Sequence, residues 1–221
     1  VLLIVSIPLW KKSSDGQAEE ENSTNLSLLQ MAKMSEIRKV WVIMLATNAI
    51  EYACGVWGST YLVEAKGFEA QYGALALTVY YAGMSIGRFV SGLLSDKIST
   101  WKRIAIGSVI LAPAITVILL PLHGAVTVAG LFLVGLGNGS IYPNMIHLTP
   151  HNFGKDVSQS VMGSQIAFAY IGVMLAPPMV SLISGTFGIK IYPVFLAVLY
   201  VIMVVFLKLF INNLKKHNIS V

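Results

Sequence analysis

Apolar residues in this chain do not alternate with polar ones. They run in blocks of about 20 residues or more, the length a helix needs to cross the hydrocarbon of a bilayer. The pattern predicts six spanning helices over residues 40–64, 70–94, 103–120, 125–148, 159–184 and 191–214. The period-two alternation of a membrane barrel is absent. Residues 1–12 are an apolar block too short to span, closed by Lys11 and Lys12. The chain does not open with methionine, and this block reads as the end of a truncated transmembrane helix. Residues 13–39 are polar, with Asp15, Glu19, Glu20 and Glu21 in their first part, and read as a linker. From Leu26 onward, Leu28, Leu29, Met31, Ala32 and Met34 stand among polar residues, which predicts a short amphipathic helix on the membrane surface. Residues 215–221 form a basic polar tail.

Composition and charge sharpen this. Of the 221 residues, 56% are hydrophobic and 11% charged, too few charged residues to coat a soluble domain. The expected class is an all-α membrane protein with a six-helix bundle over residues 40–214. Thirteen basic residues fall on the side of the linker and tail, and two, Lys66 and Lys190, on the other, out of 15. The positive-inside rule then puts the linker, the Gly92–Lys102 turn and the tail in the cytoplasm of a cell whose plasma membrane holds the bundle. The net charge of +5 fits loops beside anionic lipid, so membrane lipid is the expected partner and nucleic acid is not. Cys54 stands alone inside a span, which leaves no disulfide framework and no thiolate zinc set.

Candidate chemistry centres on Glu51. An acid at mid-span costs about 3 kcal/mol on insertion scales, so it is expected to face a cavity or a partner and not lipid. A carboxyl held there can take up and release a proton, which makes Glu51 the proton-coupling candidate. A structural acid bonded to a neighbouring helix is the competing reading. Asn48, Tyr52 and Gly55 share its helix face, and Trp57 lies a turn and a half further on. Acid, amide and aromatic rings on one helix suit a sugar, whose hydroxyls need hydrogen bonds and whose ring faces stack on aromatics. Other spans add Tyr80 and Tyr81, then Asn138, Tyr142 and Asn144, then Gln165 and Tyr170. The expected binding group for a small polar solute is therefore Asn48, Glu51, Tyr52, Trp57, Tyr81, Asn138, Tyr142, Gln165 and Tyr170. The third and sixth spans carry almost no mid-membrane polar residues and are expected to be outer, lipid-facing helices.

Several tempting motifs point elsewhere. Gly135-Leu-Gly-Asn-Gly139 has no preceding strand and no closing Lys-Ser/Thr, so it reads as close helix packing and not a phosphate loop. His147 and His151, four apart, lack the further ligands a metal site requires. No catalytic set emerges, so neither an enzyme nor a cofactor is expected.

The stretch from Gly87 to Arg103, GRFVSGLLSDKISTWKR, joins the second and third spans. Gly92, Asp96 and Lys97, followed by Lys102 and Arg103, resemble the loop signature of the major facilitator superfamily, G-x-x-x-D-(R/K)-x-G-x-(R/K)-(R/K). Ser99 stands where glycine is usual, and the basic pair is displaced by one residue. The segments IEYACGVWGSTYLVEAKG, SIGRFVSGLLSDK and GLGNGSIYPNMIHLTP are similar to the C-terminal half of fucose-permease-like sugar transporters. The resemblance implies that the six spans are helices seven to twelve, and that an N-terminal six-helix half is a partner. It implies alternating access about a midplane site. Gly87, Arg88, Gly92, Asp96, Lys97, Lys102 and Arg103 would form a conformational-switch loop. Efflux of drugs or metabolites by the same fold, and a non-transporting fragment, are the alternatives.

Overall fold

The computed structural model describes residues 25–216. The expected helix stub and the acidic part of the linker lie outside the described residues, as do the last five residues of the tail. The elements are α1 Leu28–Lys33, α2 Ser35–Lys66, α3 Ala70–Leu93, α4 Thr100–Leu119, α5 Gly124–His147, α6 Thr149–Phe153, α7 Lys155–Phe187 and α8 Tyr192–Lys216. A single 3₁₀ turn, Ile189–Ile191, leads into α8. Five of the six long helices are long and apolar enough to cross a membrane. The remaining one, α3, has the length, at 24 residues, but no stretch of it reaches the hydropathy of the other five. No strand occurs among the described residues.

The spans start and stop where local chemistry dictates. α2 ends at Gly67, whose φ of 73° is the left-handed cap that only glycine adopts without strain. There the Phe68 N–H donates to Leu62 O at 3.1 Å and the Gly67 N–H to Val63 O at 3.2 Å. α4 begins at Ser99, whose Oγ accepts from the Lys102 N–H at 3.4 Å. Ser99 has φ −57°, so this position needs no glycine here, and a capping hydroxyl takes its place.

Two boundaries differ from the sequence expectation by four residues or more. The first span starts at Ser35 and not at residue 40, because Ile37, Val40 and Trp41 pack inward and extend the helix into the linker. The fifth begins at Lys155, preceded by the short helix α6. The expected amphipathic helix is the six-residue α1, closed by a Ser27–Gln30 capping box. Its Met31 packs with Ile37, Trp41 and Val161, while Leu28 and Leu29 stay exposed.

The bundle is built from two groups. α5 packs along α3 and α4, and α2 packs along α7 and α8; α2 also touches α3 and α5 and joins the groups. The α3–α5 contact is backbone on backbone. A Cβ added at Gly83 would strike the Phe132 carbonyl, and one at Gly87 the Leu136 carbonyl. From the other helix, Gly135 lies on the Tyr80 carbonyl and Gly139 on Met84 O. The glycine-rich run of α5 is thus a helix-packing seam. α8 is apolar all round: Phe195, Leu196, Met203 and Phe210 are buried, whereas Val194, Val198, Val201 and Val205 face outward.

Gly135→Val is expected to destabilise the bundle by about 1–3 kcal/mol, because the helices cannot separate without losing the seam. Gly163→Ala, where an added methyl meets nothing within 4 Å, is the matched control and should melt like the parent. Thermal unfolding in detergent, followed by size-exclusion chromatography, reads the difference.

A polar cavity between four helices

Glu51 lies about halfway along α2. Its carboxylate accepts from the Arg88 guanidinium, with Nη2 at 3.2 Å from Oε1 and 3.5 Å from Oε2. The Glu51 side chain is 16% exposed and that of Arg88 48%. The two line a cavity of about 190 Å³ with Asn48, Tyr52, Tyr142, Ala169, Tyr170 and Val173. α2, α3, α5 and α7 supply every wall; α4 and α8 supply none. The pair places a charged fork, a carboxylate, an amide and three phenol hydroxyls around one space. Asn48 is fixed by its Nδ2, which donates to Met44 O one turn back at 2.8 Å. Tyr80 supports the site from behind: fully buried, it donates its hydroxyl to Glu51 O at 3.1 Å.

Of the nine expected binding residues, Asn48, Glu51, Tyr52, Tyr142 and Tyr170 line the cavity, and four do not. Trp57 is six residues from Glu51, about 600° around the helix, so it points off that face. Its indole N–H donates to Pro177 O at 3.0 Å and clamps α2 to α7. Asn138 is fully buried and donates to Thr47 O at 3.1 Å, tying α5 to α2. Gln165 accepts from Thr149 Oγ1 at 3.1 Å, away from the cavity. Tyr81 sits edge-on to Tyr80, with its hydroxyl over Gly55, outside the cavity.

The expected switch loop also needs correction. Gly87 and Arg88 are not in the turn. Both lie inside α3, Gly87 in the seam and Arg88 on Glu51. Arg88 is the site residue that sequence reasoning misplaced, although the signal was there: an arginine inside a predicted span is a functional candidate by default. At the turn itself, Asp96 is exposed and accepts from Ser95 Oγ at 3.3 Å. The contact that holds the turn is Arg103, which is buried. It donates through Nη1 to Ser91 O and through Nη2 to Thr100 Oγ1, each at 2.9 Å. Ser91 Oγ in turn accepts from Asn144 Nδ2 at 2.8 Å. Gly92, Lys97 and Lys102 are exposed. Among the described residues, no three His, Cys, Asp or Glu side chains gather as a metal site.

A helical membrane bundle of antiparallel spans, with polar groups gathered between its first, second, fourth and fifth long helices, is the class this geometry defines. A model of the family described as Major Facilitator Superfamily matches residues 1–177. The chain belongs to that superfamily. The fold is similar to a structure of the E. coli fucose:proton symporter FucP, with a TM-score of 0.73 and 22% identity, over 88% of this chain and 47% of that one. It is equally similar to FucP in the outward conformation, with a TM-score of 0.74 and 20% identity, over 94% of this chain and 51% of that one. The POT family transporter PepTSo matches at 0.69 and 17% identity, over 82% of this chain and 37% of that one. Among curated proteins, a Helicobacter pylori protein named "Putative glucose/galactose transporter" is 29% identical over 110 residues, 50% of this chain and 26% of the relative. The chain thus spans about half the length of the symporter structures and aligns with about a quarter of the curated relative.

Two measurements test the site. In a double-mutant cycle of Glu51→Gln and Arg88→Gln, read by thermal unfolding, the coupling should lie at roughly 0.5–3 kcal/mol, in the lower part of that range because Arg88 is half exposed. A coupling of zero would mean the two side chains do not act as a pair. Arg103→Lys should make the 94–99 turn more susceptible to limited proteolysis, because a lysine cannot hold Ser91 O and Thr100 Oγ1 with one planar fork.

Proposed function

We propose that this chain is the second six-helix half of a secondary transporter. It moves a sugar or similar small polar solute by alternating access, coupled to protons. The observation that carries this reading is the Glu51–Arg88 cavity, whose polar walls come from four helices of one bundle. Uncharged hydroxyls on a solute can accept from Arg88 and the tyrosines and donate to Glu51. The ion pair neutralises the site when no solute is bound, which suits a neutral ligand. The curated relative is named for glucose and galactose and the structural relative for fucose, and both names support a sugar. The fold alone does not choose the solute, because a peptide transporter, solved with alafosfalin bound, matches at a TM-score of 0.71 and 16% identity. Broad apolar efflux is less well supported by so polar a cavity.

In this reading Glu51 carries the coupling proton, and protonation frees Arg88. The exposed face bearing Tyr52, Tyr81, Phe89, Tyr170 and Met174 meets an N-terminal six-helix half. The linker, the 92–102 loop and the tail lie in the cytoplasm, and the bundle sits in the plasma membrane. Gly92, Asp96, Lys97, Lys102 and Arg103 bias the rocking of the two halves.

Co-expression with an N-terminal half, followed by uptake of labelled hexoses into cells, tests the proposal. Uptake is expected to follow the inward proton gradient and to collapse by at least about tenfold in Arg88→Ala. Glu51→Gln should exchange bound sugar but lose accumulation driven by the gradient. Gradient-driven accumulation at the parent level in Glu51→Gln would overturn the coupling role.

A further inference from the structure

A second cavity, of about 610 Å³, opens at the end of the bundle away from the 94–99 turn, where α2 and α4 end and α5 begins. Among the described residues, Lys66 and Lys190 are the only Lys or Arg at this end, and both line this one cavity together with His123. Glu64 and Glu69, close to Lys66 in sequence, do not line it. Lys66 is held in place: its Nζ donates to Leu120 O at 3.4 Å and Leu122 O at 3.1 Å, and lies 5.8 Å from the centre of the Tyr61 ring. An ammonium has three N–H donors, so one remains for a ligand. Lys190, in the 3₁₀ turn, is exposed.

An apolar groove of about 330 Å³ adjoins this cavity. Leu119 lines both spaces, and Pro193 of the cavity is followed directly by Val194 of the groove. Along α8 the groove is lined by Val194, Ala197, Val198, Val201 and Ile202, a helical stripe. It runs about 12 Å towards the membrane centre at 1.5 Å per residue. A cationic pocket at a membrane edge, continuous with an apolar channel on the lipid-facing helices, has the shape and charge of one kind of molecule.

We infer that this end of the bundle binds one anionic phospholipid. Its phosphodiester lies between Lys66 and Lys190, and an acyl chain lies in the groove between α4 and α8. This site is separate from the Glu51–Arg88 cavity, and its test does not depend on which solute crosses the membrane.

Native mass spectrometry of the purified full-length chain, titrated with phosphatidylglycerol or phosphatidylcholine of matched acyl composition, reads the one-lipid adduct. Phosphatidylglycerol is expected to be retained at least about fivefold better, the advantage of one basic residue beside an anionic headgroup. Lys190→Ala should erase most of that preference, and Lys190→Arg, which keeps the charge, should restore it. Ala197→Phe, which fills the groove, should weaken retention of both lipids. Inorganic phosphate in millimolar excess should leave the adduct intact, because it lacks the acyl chain. Equal retention of the two lipids by the parent, which requires no variant to fold, would overturn the inference. So would full displacement by inorganic phosphate, which would mark a free-anion site.

Discussion

Inside a bundle that is apolar within and without, hydrophobic burial does not choose which helix faces which. Backbone fit and the pairing of polar groups make that choice. The α3–α5 seam is where this constraint binds hardest. Four glycines bring the two backbones into contact, and any side chain at Gly83, Gly87 or Gly135 would strike a carbonyl of the opposite helix. This approach puts Arg88 of α3 and Tyr142 of α5 beside one another, facing α2 and α7. The cavity exists because the helices that build it are so close elsewhere.

Polar groups follow the same logic. Glu51 is answered by Arg88, Asn138 by Thr47 O, Gln165 by Thr149, and Trp57 by Pro177 O. Each pair links two different segments, and the three pairs outside the cavity act as registration points of the bundle. One turn of α3 joins the cavity to the turn beyond it. Arg88 holds Glu51, and Ser91, three residues on, receives Arg103 from α4 and Asn144 from α5. α3 thus ties the cavity wall to the start of α4 through hydrogen bonds at a single turn.

Much of the candidate site was legible in the residues, and its gaps have physical causes. Glu51, Asn48 and Tyr52 could be placed together because helical spacing alone sets their relative direction. Trp57 and Gln165 could not, because a polar group in a span has two outlets, a cavity or a neighbouring helix, and spacing does not separate them. Arg88 was assigned to the loop because its motif neighbours Gly92 and Asp96 lie there, although the helix continues five residues past it. The boundary at Ser35 shifted because Ile37 and Trp41 find packing partners on α7 and α1, information that no local window contains.

The sequence by itself determined the membrane class, the six long helices and the superfamily to which the chain belongs. Apolar block length and motif spacing are local quantities, written directly in the residue order. Only the tertiary structure decided that Arg88 pairs with Glu51, that Arg103 and not Asp96 fastens the turn, and that Lys66 and Lys190 share one cavity. Those facts join residues 37, 12 and 124 positions apart. Their meeting depends on which backbones pack against which, and that is settled by the glycine seam and the polar pairs acting together.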